Sequence, residues 1–301
     1  MSIVNPHLGG RLAAPASRAH LPWLIALAGF AVMYLPVWWH AANGIWQTDD
    51  NGHGPIILAV LVYLFWSQWR DIVDAPTRPA PALGWPLFAL GLLFYVFGRA
   101  FNVSSVEFAS QLFVVAATLL LIKGPAALRA AWFPVIYLVF MVPLPATLVD
   151  AITGPLKQWI SDIVEALLWN AGYPISRTGV ILQIGQYQLL VADACSGLHS
   201  MFSLSALGTL FMYLMARKSR LHNAIMLAAI LPIAFIANIV RVIILVLVTY
   251  HLGDEAGQGF LHGTAGFVLM IVALCILFAL DSLLRLVIRD KRTPPAAPAA
   301  S

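Results

Sequence analysis

Long apolar runs separated by short polar breaks fill the chain from residue 21 to residue 288. Eight of them read as membrane-crossing helices: residues 21–39, 55–69, 83–98, 106–122, 131–149, 196–216, 223–249 and 262–284. About 20 apolar residues normally cross a bilayer, so the run at 55–69 is short for a span. Residues 150–194 break the rhythm. Ile152, Leu156, Ile160, Ile163, Leu167 and Leu168 recur at helical spacing, opposed by Lys157, Gln158, Ser161, Asp162 and Glu165. That pattern predicts an amphipathic helix lying in the membrane interface. The period then changes. The β-prone runs Val180–Ile184 and Tyr187–Val191 flank Gly185-Gln186, which suits a two-residue hairpin turn with glycine first.

Composition agrees with this pattern. With 61% hydrophobic and 10% charged residues, the chain reads as an all-α polytopic membrane protein of about eight spans, carrying a small extracytoplasmic β-hairpin and the interfacial helix. Residues 21–288 form one transmembrane domain with an extracytoplasmic insertion at 150–194. The flanking segments 1–20 and 289–301, the latter rich in Pro and Ala, read as disordered and cytoplasmic. No internal repeat is evident. The first run is too long and lacks the small-residue site of a cleavable signal.

Charge sets orientation. With both termini inside, the inner segments hold Arg11, Arg18, Arg70, Arg78, Lys123, Arg129, Arg217, Lys218, Arg220, Arg285, Arg289, Lys291 and Arg292. The outer segments hold only Arg99, Lys157 and Arg177, and Arg241 lies within a run. The positive-inside rule therefore places both termini in the cytoplasm and residues 150–194 outside. The net charge of +4 reflects this topology and not nucleic-acid binding.

The candidate chemistry gathers where three runs meet the outer face. Cys195 opens Cys195-Ser196-Gly197-Leu198 at the start of the sixth run, Arg241 lies in the seventh, and His262 begins the eighth. A free thiol ionises near pH 8.5, so it needs a cation to be a ready nucleophile, and Arg241 is the obvious one. An arginine near a helix centre costs about 2.5–3.5 kcal/mol on insertion scales, so it should face the protein interior with a partner, as a functional cation or as half of a structural ion pair; it lies too deep to snorkel. Asn238, three residues earlier, shares its helix face and could orient the guanidinium, donate to an oxyanion, or only bond a neighbouring helix. His199 follows Cys195 by four residues and can touch the thiol from the same helix, whereas His262 on another helix leaves room for a peptide between base and nucleophile. Ser196 is a weak rival nucleophile, and Asp193 shapes the turn before Cys195 or caps the helix beginning there.

Other residues read as structural. Cys275, about 13 residues into the last run, reads as a small core residue too distant for a disulfide with Cys195. Asp281 and Arg285 form an i, i+4 pair, read as a solvated or interfacial salt bridge. His53 reads as a loop residue, with a minor substrate role left open by its place on the outer face. There is no Cys-x-x-Cys pair, and no metal or cofactor is expected.

Ala194-Cys195-Ser196-Gly197-Leu198, then Asn238 and Arg241, then His262 with Gly263 and Gly266, resemble the exosortase/archaeosortase family over nearly the whole chain. Within it, Leu198-His199-Ser200-Met201 and the lack of a fused C-terminal domain look most like the exosortase B group. The resemblance implies a cysteine transpeptidase of the bacterial inner membrane, its site facing the periplasm. It implies that Cys195 forms a thioester, Arg241 stabilises thiolate and oxyanion, and His262 serves as acid/base with His199 in support. The implied partners are secreted, membrane-anchored proteins with a C-terminal tail made of a motif such as Pro-Glu-Pro, a transmembrane helix and a basic cluster, together with lipid and an acceptor nucleophile. If water is the acceptor, the same residues make an intramembrane cysteine protease. A transporter with an anion site at Arg241 is the alternative from another class, and it would need no thiol.

Overall fold

The computed structural model describes residues 17–48, 51–190, 197–215, 219–263 and 265–287. Its elements are α1 (Ser17–Ala42), α2 (Gly54–Ser67), α3 (Trp69–Asp74), α4 (Pro81–Ala100), α5 (Ser104–Ile122), α6 (Pro125–Ala130), α7 (Trp132–Tyr137), α8 (Ala146–Asn170), β1 (Ile175–Thr178), β2 (Ile181–Ile184), β3 (Tyr187–Leu190), α9 (Gly197–Met215), α10 (Arg220–Leu252), α11 (Asp254–Gly263) and α12 (Ala265–Val287). The fold is an all-α polytopic membrane architecture with one small antiparallel sheet. Among the described residues, Leu21–Gln47, Pro81–Ala100, Ser104–Ile122, Leu221–Leu252 and Gly266–Val287 are long and apolar enough to cross a membrane. Gly54–Ser67, Trp132–Met141 and Phe202–Met215 are apolar but shorter. Together these segments follow the eight apolar runs in order. The two terminal segments expected to be disordered lie outside the described residues, apart from the start of α1.

Two expected spans are divided differently from the sequence reading. The run at 131–149 is not one helix: α7 passes into a 3-10 turn at Leu138–Met141, and α8 begins only at Ala146. Pro143 and Pro145 explain the break, since proline offers no N–H and disfavours helix in the residue before it. The last run is also split, so that His262 lies near the end of a short separate helix, α11, instead of opening the final span. Pro232, by contrast, lies inside a continuous α10.

The chain forms two compact units, residues 1–45 with 63–135 and residues 46–62 with 136–301. In the first, α4 and α5 make a close hairpin through glycines seven residues apart. A Cβ on Gly84 would lie 2.7 Å from the Leu121 side chain, on Gly91 2.8 Å from Val114, and on Gly98 2.5 Å from the Glu107 backbone. Residues 107, 114 and 121 repeat the spacing on α5, so two helical seams meet in register and the backbones approach closely. Polar groups lock the seam. Arg99 pairs with Glu107 at 3.3 Å, and the Tyr34 hydroxyl of α1 meets Ser110 at 2.7 Å.

In the second unit the expected hairpin is present and belongs to a three-stranded sheet of order β1-β2-β3. Ile184 opposes Tyr187 across Gly185-Gln186, and Thr178 opposes Ile181 across Gly179-Val180. Gly185 and Gly179 have φ of +57° and +65°, while Gln186 and Val180 are not among the positive-φ residues. Both turns are therefore glycine-first, the type II′ pattern that matches strand twist. The first strand escaped the sequence reading because Ser176, Arg177 and Thr178 offer no apolar run. It is held by its ladder to β2, by Ile175 in the buried cluster, and by Arg177, which pairs with Asp162 and Glu165 of α8 and donates to the Gly179 carbonyl at 2.8 Å.

The amphipathic helix is α8, longer than predicted, and its buried stripe is rotated from the expected one. Ile160, Ser161, Val164 and Leu168 are buried, whereas Leu167 is exposed. Ser161 is fully buried and satisfies itself by donating to the Lys157 carbonyl at 2.8 Å, which permits a hydroxyl at a core position. Cys275 also departs from expectation. The buried stripe of α12 runs through Leu269, Ala273, Leu277 and Asp281, and Cys275, about 200° around the helix from Ala273, is an exposed free thiol.

Where α10 ends, Gly253 with φ +92° turns the chain so that α11 packs back against α10. A Cβ on Gly257 would lie 2.1 Å from the Thr249 hydroxyl oxygen. That hydroxyl cannot swing away freely, because Thr249 is fully buried and donates to the Leu245 carbonyl at 2.9 Å. Alanine would otherwise stabilise a helix relative to glycine, so the contact decides the sign. Gly257→Ala is expected to destabilise the protein by about 1–3 kcal/mol in a reversible unfolding measurement in detergent, and Thr249→Gly added to it should recover part of that loss. An unchanged or raised stability in the single variant would mean that the helices do not meet there.

Candidate active site

Helix α10 is the backbone of the site. Ser219 caps its start, its hydroxyl accepting the His222 N–H at 3.3 Å, and 33 residues follow without a break. Its two sides are apolar for different partners. Val242, Leu245 and Val246 join α8 and the sheet in one cluster with Ile160, Val164, Leu182 and Ile184. Ile233, Ala234 and Ala237 join a second cluster with Leu204 and Phe211 of α9 and Leu269, Ala273 and Leu277 of α12. Asn238 and Arg241 lie between these two contact stretches.

Both polar residues are interior. Arg241 is 6% exposed and Asn238 1% exposed, and the spacing of three places them one turn apart. The Asn238 side-chain oxygen has no hydrogen-bond partner among the described residues. A buried amide oxygen without a donor costs about 1–3 kcal/mol, so Asn238 is placed to accept a hydrogen bond. Arg241 lies eleven residues before Leu252, roughly 17 Å along the helix from its end. Such burial agrees with the expectation that its charge faces the protein and not lipid.

The other site candidates are placed by their helices. His199 lies in the first turn of α9, and His262 near the end of α11. Both helices pack directly against α10, and α11 also packs against α12. Asp193, Cys195 and Ser196 lie outside the described residues, as do the side chains of His199 and His262. The structure thus brings the helix that follows Cys195 and the helix that carries His262 onto the one helix that buries Arg241 and Asn238. Among the described residues no cluster of His, Cys, Asp and Glu could hold a metal ion.

Two residues read as ordinary in the sequence are better placed than expected. His53 stacks edge-on against Phe202 of α9, ring centres 6.4 Å apart, and Phe202 in turn meets Phe140 at 5.1 Å. It is therefore packed on the helix that starts beside Cys195 and is not a free loop residue. Its signal was the turn-rich Asn51-Gly52-His53-Gly54, in which Gly54 leaves room for the Trp46 ring. Asp281 is the second. The expected pair with Arg285 forms at 3.0 Å, but the carboxylate is 2% exposed and also meets His222 Nε2 at 2.9 Å. The bond ties the start of α10 to α12, a long-range partner that i, i+4 spacing cannot reveal.

The sequence model of one protein family, transmembrane exosortase of the EpsH type, matches residues 45–279, more than three quarters of the chain. No curated protein and no solved structure gives a significant match. The matched stretch contains Cys195, Asn238, Arg241 and His262, together with the sheet and all of α8 to α11. On that match the chain belongs to the transmembrane exosortase family, membrane-embedded peptidase-like enzymes of protein sorting.

Proposed function

We propose that the chain is a cysteine transpeptidase or peptidase, of the exosortase B kind, that cleaves proteins carrying a C-terminal Pro-Glu-Pro-type sorting tail. The observation that carries this reading is the burial of Arg241 and Asn238 on α10, against which the helices bearing His199 and His262 both pack. In this reading residues 21–288 act as one catalytic domain of the bacterial inner membrane, with both termini cytoplasmic and the site on the periplasmic side.

The Cys195 sulfur attacks the scissile carbonyl and a C–S bond forms. Arg241 holds the thiolate beforehand and the oxyanion afterwards, and Asn238 orients it. As the C–N bond breaks, His262 gives its proton to the leaving amine, so that the tail departs and a thioester remains. An incoming acceptor loses its proton to His262 and attacks the thioester, which breaks the C–S bond and frees the thiolate. An amine or sugar-linked acceptor gives transpeptidation, and water gives hydrolysis. His199 supports the thiol from its own helix, while Ser196 and Asp193 shape the approach to Cys195. No cofactor enters these steps. The buried guanidinium suits this chemistry because a charge in a dry site acts strongly on a nearby oxyanion.

Cys195→Ala is expected to leave tailed substrates full-length in membranes, while Cys275→Ala processes them normally, since that thiol lies on the outside of α12. Normal processing by both variants would end the acyl-enzyme reading. Arg241→Lys should lose about 10²- to 10³-fold in turnover, because a compact ammonium lacks the planar fork that serves an oxyanion. The mass of the processed C-terminus reports the cleavage point and the group attached there.

The two histidines are separated by a second comparison. His262→Ala should lower turnover about 10²- to 10⁴-fold, with His199→Ala milder, each normalised to folded enzyme in the membrane. A dead His199 variant beside an active His262 variant would move the proton relay onto α9.

A further inference from the structure

We propose that the open edge of β3 is the docking strand for the substrate peptide, which pairs with it as one more strand of the sheet; this rests on the peptidase reading above. The register fixes which groups face outward. Ile184 and Tyr187 flank a two-residue turn and so exchange hydrogen bonds, as do Leu182 and Leu189 two residues on. Gln188 and Leu190 alternate with these, so their N–H and C=O groups point away from β2. No backbone or side-chain hydrogen bond among the described residues takes up those groups. Both residues are exposed.

The opposite edge is not equivalent. On β1 the Ile175 N–H is taken by the Tyr173 carbonyl at 2.9 Å, and Arg177 is bound to α8 through Asp162 and Glu165. At β3 the inner face is anchored instead. Tyr187 and Leu189 pack against the apolar cluster shared with α10, which holds the strand firmly, while its outer edge is unpaired among the described residues.

The position in the sequence specifies the occupant. From Leu190 the chain needs only five residues to reach Cys195, a reach of at most about 17 Å. A nucleophile that attacks a backbone carbonyl needs that backbone extended and in a fixed register. An edge strand supplies both through main-chain bonds, whatever the side chains are. An unprotected edge invites pairing with other chains, and this one is only four residues long, enough for a few bonds and not for aggregation.

Binding is measured on the full-length Cys195→Ala protein in nanodiscs, with a fluorescent synthetic peptide covering both sides of the cleavage point found by mass spectrometry. Single N-methyl groups are moved along the peptide. Affinity should fall about five- to tenfold at every second position and hold at the positions between, because alternate amides face β3. Gln188→Pro, which removes an outward N–H and leaves the β2 ladder intact, should weaken binding several-fold, while Gln188→Ala should not. Methylation without a period of two, or equal binding by Gln188→Pro and Gln188→Ala, overturns the proposal. So does a change of oligomeric state in Gln188→Pro with peptide binding intact, since a second copy would then be the occupant. Because binding is read without chemistry, normal processing by Cys195→Ala would defeat the cysteine acyl-enzyme reading separately.

Discussion

The central constraint on this protein is a guanidinium held inside an apolar helix. An ionised arginine cannot rest against hydrocarbon, so α10 must be enclosed by protein along much of its length. It is enclosed from two sides: α8 and the sheet cover Val242, Leu245 and Val246, and α9 and α12 cover Ile233, Ala234 and Ala237. Arg241 and Asn238 fall where these two apolar contacts adjoin. The elements of the second unit are arranged so that this polar pair has somewhere to be.

Several local devices keep that enclosure rigid. Close approach at Gly257 and Thr249 holds α11 against the end of α10, while the bond between His222 and Asp281 holds α12 against its beginning. The ring of Tyr250 on α10 lies 3.5 Å from where a Cβ on Gly185 would be, so the hairpin turn rests on the same helix. Arg177 ties the sheet to α8 through Asp162 and Glu165, and both pack on α10 in one buried cluster. Positioning in a membrane enzyme thus comes from small residues and buried polar bonds, since packing apolar side chains against one another gains little over packing them against lipid.

Much of the fold was legible. Hydropathy alone placed the apolar segments and the order in which they occur, and Gly185-Gln186 between β-prone runs located a hairpin whose turn has the expected residue first. What failed did so for identifiable reasons. The proline-broken stretch at 138–145 reads as continuous by hydropathy because Pro143 and Pro145 interrupt hydrogen bonding without adding charge. The strand at 175–178 has a single buried apolar residue, Ile175, and gains its place from pairing with β2 and from ion pairs to the preceding helix. The buried stripe of α8 departs from the sequence pattern because Ser161 counts as polar in sequence and yet satisfies its hydroxyl within the helix.

Hydropathy alone makes this a polytopic membrane protein. It also makes Cys195, Asn238, Arg241 and His262 the residues worth following, because a charge or a thiol in so apolar a chain stands out. Family membership was likewise written in those residues and confirmed over residues 45–279. That α10 is the common partner of α9 and α11, that Asp281 is buried against His222, and that Cys275 faces outward emerge only in the folded chain. Those facts depend on which helix faces meet, and hydropathy is nearly uniform around a helix that is apolar on every side, so its period carries no instruction about partners.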